Sequence, residues 1–331
     1  MDSPVFDKLD RDLAHALRID GRAPFNKIAD VVGVSDSTIA RRYRRLYSAG
    51  LLRVVGTVNL GRLGYMPWTI RLQCPPDASG AIAANLARRS DTFWVHLLSG
   101  GTEIACSTQA RAGGSGDTLL LQRLSRTARV TSVRAHSLLQ GFTAPGEWSG
   151  LDSLDPEQAE ALRPARVEAD PAPPVLAQED QPLLEVLSRD GRAGYGELAD
   201  ATGWSESTVK RRMEFLRRTE VLRYELDLPV SALGYQAEAR LWLSVRPSAL
   251  VSVAQALGAH PEVSFAAVTT GPTNLMASVI CRDASDLYRY LTERIGALEG
   301  VHTVETATVD RTLKRAGAVL PSAAFRRTDA D

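Results

Sequence analysis

The sequence predicts an α+β chain built twice over, each half a winged helix-turn-helix unit followed by a strand, a helix, two strands, a helix and a strand. Three observations carry this prediction. Asp20-Gly21-Arg22-Ala23 returns as Asp190-Gly191-Arg192-Ala193, an offset of 170 residues that holds without a gap through Tyr65 and Tyr235. Within each copy, two amphipathic segments flank a short Gly-x-Ser break. After each copy, apolar strand-like runs alternate with helical ones.

The first helix is expected to open at Ser3-Pro4, because proline suits a helix's first turn, and Leu9, Leu13 and Leu17 give it an inner face. The next segment, Phe25 to Val32, is matched by Tyr195 to Thr202. The breaks Gly33-Val34-Ser35 and Gly203-Trp204-Ser205 are tight helix-to-helix turns: glycine takes positive φ without steric cost, and Ser35 and Ser205 cap the following helix. Asp36 and Glu206 place a carboxylate at that helix's positive end. Ile39, Tyr43 and Leu46, matched by Val209, Met213 and Leu216, form its buried stripe. What remains outside is mostly basic: Arg41, Arg42, Arg44 and Arg45 in the first copy, and Lys210, Arg211, Arg212, Arg217 and Arg218 in the second. Hydroxyls in the first turn (Ser37, Thr38; Ser207, Thr208) followed by such cations are what a recognition helix needs to enter a major groove of double-stranded DNA. Leu51 to Val58 reads as a wing-like strand, on which Arg53, and Arg223 in the second copy, are placed to touch backbone phosphate. Arg44 and Arg45 correspond to Glu214 and Phe215, so the first copy is expected to hold phosphate more strongly and the preferred site to have unequal halves.

A formal net charge of +0 hides a strong local pattern. Residues 1–65 carry eleven Lys and Arg against seven Asp and Glu, whereas residues 144–180 carry two against nine. Basic modules and an acidic connector cancel in the sum, and a duplex meets the local field. Three widely spaced cysteines (Cys74, Cys106, Cys281) read as buried core thiols of a cytoplasmic protein, without metal or disulfide roles. No signal peptide or membrane-spanning run is evident. Gly113-Gly114-Ser115-Gly116 lacks the Lys-Ser/Thr and spacing of a phosphate loop and reads as a flexible connection.

Taken together, Leu9-Asp10-Arg11-Asp12, Asp20 to Ala23, Ile28-Ala29, Gly33 to Ile39, Arg41-Arg42, Leu46, Gly50-Leu51-Leu52 and Leu63-Gly64-Tyr65 resemble the Lrp/AsnC (feast/famine) transcriptional regulators. In the second copy the resemblance rests on Asp190 to Ala193, Glu197-Leu198-Ala199, Gly203 to Val209, Arg211-Arg212, Leu216 and Leu233-Gly234-Tyr235. It implies a ferredoxin-like βαββαβ domain after each reading head, for effector binding and dimerisation. The expected strands of the first are Trp68 to Cys74, Thr92 to Leu98, Thr102 to Gln109 and Val130 to Leu139, with helices Ala78 to Arg88 and Asp117 to Thr127. The domains are then 1–60 and 61–143, a Pro, Ala and acid-rich linker at 144–178, 179–230 and 231–316, and a tail at 317–331.

The resemblance also implies a small-molecule effector, such as an amino acid, held by the loop between the second and third strands. Those positions are Gly100, Gly101, Thr102 and Glu103 in the first half and Thr270, Gly271, Thr273 and Asn274 in the second. Glycines leave N–H groups open to a carboxylate and Glu103 is suited to an ammonium group, whereas Pro272 and Asn274 depart from the pattern. No cofactor or catalytic residue is expected. A homo-oligomer is, with the halves pairing within one chain or, as favoured here, between chains to offer four heads. Siroheme decarboxylases share this scaffold and make an enzyme the alternative; it would need histidines at a tetrapyrrole pocket, and His96 lies on the strand before the first glycine loop, whereas His15, His136, His260 and His302 are scattered. A sensory adaptor that does not bind DNA is a third reading.

Overall fold

The computed structural model describes residues 6–89, 91–111, 127, 129–143, 148–164, 176–315 and 318–319. The chain runs α1 (Lys8–Ile19), α2 (Phe25–Val32), α3 (Asp36–Ser48), β1 (Arg53–Val58), β2 (Tyr65–Gln73), α4 (Pro76–Ala87), β3 (Thr92–Leu98), β4 (Glu103–Arg111) and β5 (Ser132–Gly141). A linker helix α5 (Pro156–Leu162) precedes the second half: α6 (Gln181–Arg189), α7 (Tyr195–Thr202), α8 (Glu206–Arg218), β6 (Leu222–Asp227), β7 (Ala237–Val245), α9 (Leu250–Gly258), β8 (Val263–Thr269), β9 (Leu275–Cys281) and α10 (Ala284–Arg289). A π turn (Tyr290–Ile295) extends α10, and β10 (Val301–Arg315) and β11 (Ala318–Val319) follow. The helix expected from Asp117 to Thr127 and the Gly113 to Gly116 stretch fall outside the described residues, Thr127 apart. Helix α1 begins at Lys8, later than expected, because Asp7 is its cap and accepts from the Asp10 N–H at 2.9 Å.

Each head is a three-helix unit around its own apolar core, with Leu13, Leu17, Ile28 and Ile39 at the centre of the first and Leu183, Leu187, Leu198 and Val209 at that of the second. The expected wing is different in kind. Strands β1 and β6 pair antiparallel with each other, from Arg53 opposite Asp227 to Val58 opposite Leu222, so the heads share one ribbon. A lone strand leaves its backbone groups unpaired, and here each copy satisfies the other.

The repeated Asp-Gly-Arg-Ala stretch holds this seam closed. Asp20 and Asp190 accept from the N–H of Arg22 and Arg192, at 3.0 and 2.8 Å, and shape the turns. Arg22 then donates to the carbonyls of Gly191 (2.6 Å) and Ala193 (3.1 Å), and Arg192 to those of Gly21 (2.7 Å) and Ala23 (3.0 Å). Each guanidinium also lies over aromatic rings of the neighbouring head: Arg22 over Tyr195 and Tyr224, Arg192 over Phe25 and Tyr43. A Cβ at Gly21 would come within 2.8 Å of Tyr224 Cβ and Val54 Cγ1, so only glycine permits this approach.

Eight of the remaining strands form one closed antiparallel ring, β2-β4-β3-β10-β7-β9-β8-β5 and back to β2, and β11 pairs with the end of β10. The last strand of each half pairs first with its own domain and then crosses: β10 runs from β7 to β3, and β5 from β2 to β8. Alternation divides the side chains. Ile70, Leu72, Val95 and Ile104 face outward onto α4, while Leu98, Ala105, Trp242, Ala267, Met276 and Ala307 share the interior. The halves therefore pair within the chain, which corrects the expectation that they pair between chains.

The linker is in part a component of the first head. Leu151, Leu154 and Leu162 join its core, Gln158 donates to the Val31 carbonyl at 3.0 Å, and His15 Nδ1 accepts from the N–H groups of Ser153 and Leu154, both at 3.0 Å. That geometry requires a neutral ring. Burial pushes the His15 pKa down and Arg18 adds to this, against Asp152 and Asp12.

Two outcomes follow. Arg22→Ala combined with Arg192→Ala should lower unfolding stability by roughly 3 kcal/mol, because four charge-assisted hydrogen bonds are lost; a urea titration giving less than about 1 kcal/mol would show the clasp to be incidental. His15, His96 and His260 all have folded pKa values below their unfolded value. Their contribution is present above about pH 6.5 and lost as pH falls through the folded values. Denaturation midpoints should fall on acidification, and His15→Gln, whose amide oxygen accepts the same N–H groups, should flatten the slope.

Candidate nucleic-acid interface and effector loops

The two recognition helices are α3 and α8. Gly33 (φ 79°) and Gly203 (φ 71°) end the preceding helices, and Ser35 and Ser205 cap the next ones by accepting from the N–H of Thr38 and Thr208 at 3.2 Å. The hydroxyls of Ser37 and Thr38 cluster on the Ser35 hydroxyl, at 3.0 and 2.9 Å, and those of Ser207 and Thr208 on Ser205, at 2.9 and 3.0 Å. Ser37 and Ser207 stay exposed at the helix tips.

The arginines divide into two sets that sequence does not separate. Arg42 pairs with Asp7 and, at 3.1 Å, with buried Asp10; Arg45 also reaches Asp10, at 2.6 Å. In the second head Arg212 Nε meets Asp180 at 2.6 Å, and that carboxylate is 1% exposed. These three bind the recognition helix to the first helix of its own head, since a buried carboxylate needs its counter-charge. Arg217 is held by Glu214 at 3.1 Å. Arg41 and Arg211 are exposed with no ion pair among the described residues, as is Arg44, which folds back to the Ala40 carbonyl at 3.3 Å. Lys210 sits over the Tyr195 ring at 4.7 Å. Arg211 and Thr208 border an open groove of about 410 Å³ floored by Trp204 and Phe215.

Arg53 and Arg223 were expected on phosphate. Arg53 Nε instead meets buried Asp227 at 2.8 Å in the ribbon, and Arg315, at the end of β10, lies 3.7 Å from the same carboxylate. Arg223 faces Glu220 at 3.8 Å. Asp227 thus joins the head seam to the barrel.

The first glycine loop has three successive residues in the left-handed region, Ser99 (φ 51°), Gly100 (φ 68°) and Gly101 (φ 78°). Thr102 closes it by donating its hydroxyl to the Ser99 carbonyl at 2.9 Å, and Gly101 N–H donates to Asp310 at 3.1 Å. Glu103, expected to receive an ammonium group, is instead bound by Arg71, at 2.5 Å through Nε and 3.1 Å through Nη2. Arg71 also meets Glu305 at 2.7 Å and lies 3.6 Å from the centre of the Trp242 ring. A buried guanidinium inside the barrel claims the nearest carboxylate, and the space beside it is water-sized, about 10 Å³. In the second loop Asn274 exchanges two 2.8 Å hydrogen bonds with the Val245 backbone, Thr273 accepts from the Thr269 hydroxyl at 2.9 Å, and the Thr270 hydroxyl accepts from the Ser137 N–H at 3.0 Å. Gly271 (φ 102°) lies against His136, where a Cβ would be 2.2 Å from Nδ1.

His96 is wholly buried. Arg240 donates to its Nε2 at 2.8 Å, so Nδ1 carries the proton and donates to Thr312 at 3.0 Å. Burial and Arg240 hold its pKa well below the usual histidine range. Both ring nitrogens are used by the fold. Among the described residues no His, Cys, Asp and Glu group is arranged to hold a metal, and no helix is long and apolar enough to cross a membrane. Cys74, Cys106 and Cys281 are buried free thiols.

Sequence reading missed Asp10, Asp180, Arg22, Arg192, Arg71 and Asp310. Recurrence held a signal for the first four: Asp10 and Arg42 return as Asp180 and Arg212 at the same offset as the two glycine breaks.

Residues 6–47 and 179–217 match the AsnC-type helix-turn-helix domain, and residues 238–319 the Lrp/AsnC ligand binding domain. An uncharacterised HTH-type transcriptional regulator of Pyrococcus abyssi is 31% identical over 134 residues, 40% of this chain and 84% of that protein. The HTH-type transcriptional regulator LrpA of Pyrococcus horikoshii is 29% identical over 141 residues, 42% of this chain and the whole of that protein. Over nearly the full length, the fold is similar to that of the siroheme decarboxylase NirDL, at a TM-score of 0.62 with 14% identity and 94% of each chain covered. Both heads, the second ligand-binding domain and the two Pyrococcus relatives agree: the chain belongs to the Lrp/AsnC family of helix-turn-helix transcriptional regulators.

Proposed function

We propose that one chain acts as a built-in dimer, reading a single bipartite DNA site with two heads held in fixed relation. The observation that carries this is the reciprocal clasp of Arg22 and Arg192 across the shared β1 and β6 ribbon. Ser37, Arg41 and Arg44 of the first head, and Ser207, Lys210, Arg211 and Arg218 of the second, are the exposed groups suited to base edges and phosphates. Thr38 and Thr208 support the helix tips from the caps. With Arg42 and Arg45 held by carboxylates, the first head has no surplus of free cations, so the two bind with comparable strength but to unequal half-sites. A four-headed assembly would join two such chains.

The regulator reading is preferred to an enzyme because both basic recognition helices are intact and His96 has no free ring nitrogen. The effector is a small molecule with a carboxylate, an amino acid being the simplest, received by the N–H groups of the Gly100-Gly101 loop. Thr102 shapes that loop, and the Thr270 to Asn274 loop, tied down by its own hydrogen bonds, is the weaker receptor. A regulator of this kind works in the cytoplasm, on DNA.

Fluorescence anisotropy with the duplex upstream of the chain's own gene, against a scrambled duplex over a salt series, tests this. About a thousandfold preference with a steep salt slope is expected, and equal weak binding to both refutes it. Arg211→Ala should weaken cognate binding about tenfold at unchanged stability, because its side chain serves only the ligand face. Arg212→Ala should cost roughly 3 kcal/mol of stability by leaving the buried Asp180 carboxylate without its counter-charge. Similar effects of the two changes on stability would refute that division of roles.

A further inference from the structure

Where the last strand of each half crosses to the other domain, it carries a one-residue bulge. On β10 the extra residue is Asp310, between Val309 opposite Leu98 and Arg311 opposite Leu97. On β5 it is Leu139, between Leu138 opposite Thr269 and Gln140 opposite Val268. The two positions correspond, because Leu98 and Thr269 each end the strand that leads into a glycine loop. A bulge re-aims the side chain it adds.

The consequences differ between the halves. Asp310 places a carboxylate oxygen 3.1 Å from the Gly101 nitrogen, in a loop with three successive residues at positive φ. Leu139 projects 56% exposed in the other half, whose loop carries Pro272, a residue with no N–H to offer. The duplication thus keeps the bulge and changes what it presents.

We propose that the first glycine loop is a carboxylate-binding site that carries its own tethered ligand, Asp310 from the other half, which a free amino-acid carboxylate must displace. This rests on the effector reading above. Glu103 cannot replace Asp310 in this contact, because its two oxygens are engaged by Arg71. A tethered competitor acts at a high effective concentration, so it raises the ligand concentration at which the site fills. The site is set to respond to abundance and to ignore traces.

The test is isothermal titration of the full chain with each of the twenty common L-amino acids, using the natural protein, Asp310→Ala and Asp310→Asn. For any amino acid that binds, Asp310→Ala should bind about fivefold tighter, the scale of one exposed charge-assisted hydrogen bond, and Asp310→Asn, which keeps an acceptor without the charge, should fall between. If Asp310→Ala fails to fold, the Asn variant carries the comparison. Equal affinities in all three proteins would overturn the inference and leave the effector reading standing, with Asp310 a simple latch. No binding to any of them would overturn the effector reading and the inference with it.

Discussion

The reciprocal reach of Arg22 and Arg192 into the opposite turn is the constraint on which the rest of the structure depends. Each guanidinium satisfies carbonyl groups of the other copy and covers its aromatic rings. The contact works in both directions only because the same four-residue motif is present twice in one chain. Once it forms, β1 and β6 are brought side by side, and each supplies the partner that the other lacks. Two heads that fold around separate cores are thereby joined, with the spacing of α3 and α8 set by a shared ribbon.

The barrel extends the same logic to the effector domains. Because β5 and β10 each pair with both domains, the ring has no free edge among its eight strands. Duplication supplies the symmetric frame, and divergence then acts within it. Arg71 of one half stacks on Trp242 of the other, and His96 meets Arg240 and Thr312 across the interior. The guanidinium and imidazole groups among them are paired, as the low dielectric of the interior demands. They also make the two halves unequal beside the glycine loops: Glu103 is bound by Arg71, whereas Asn274 is bound by the Val245 backbone.

Strand β10 links these levels. Along one extended segment it places Glu305 on Arg71, Asp310 on the first glycine loop, Thr312 on His96 and Arg315 beside Asp227. Asp227 in turn receives Arg53 from the head ribbon. One strand thus touches the first glycine loop, the barrel interior and, through Asp227, the head ribbon.

The sequence by itself determined the internal build of each head, because helix periodicity, the Gly33 and Gly203 turns and the Ser35 and Ser205 caps act over a few residues. It also marked the succession of strands and helices along the effector domains and, through the 170-residue register, that the unit occurs twice. The tertiary structure alone decided which cations of the two basic helices are tied up in ion pairs. Arg41 and Arg42 are neighbours with the same chemistry, yet one faces solvent and the other a buried Asp10 from a different helix. It likewise turned a predicted wing into a shared ribbon, took Glu103 from its expected ligand and set Asp310 on Gly101. Each of those outcomes depends on a charge or a strand that meets its partner through space, far along the chain, and local pattern holds no record of such meetings.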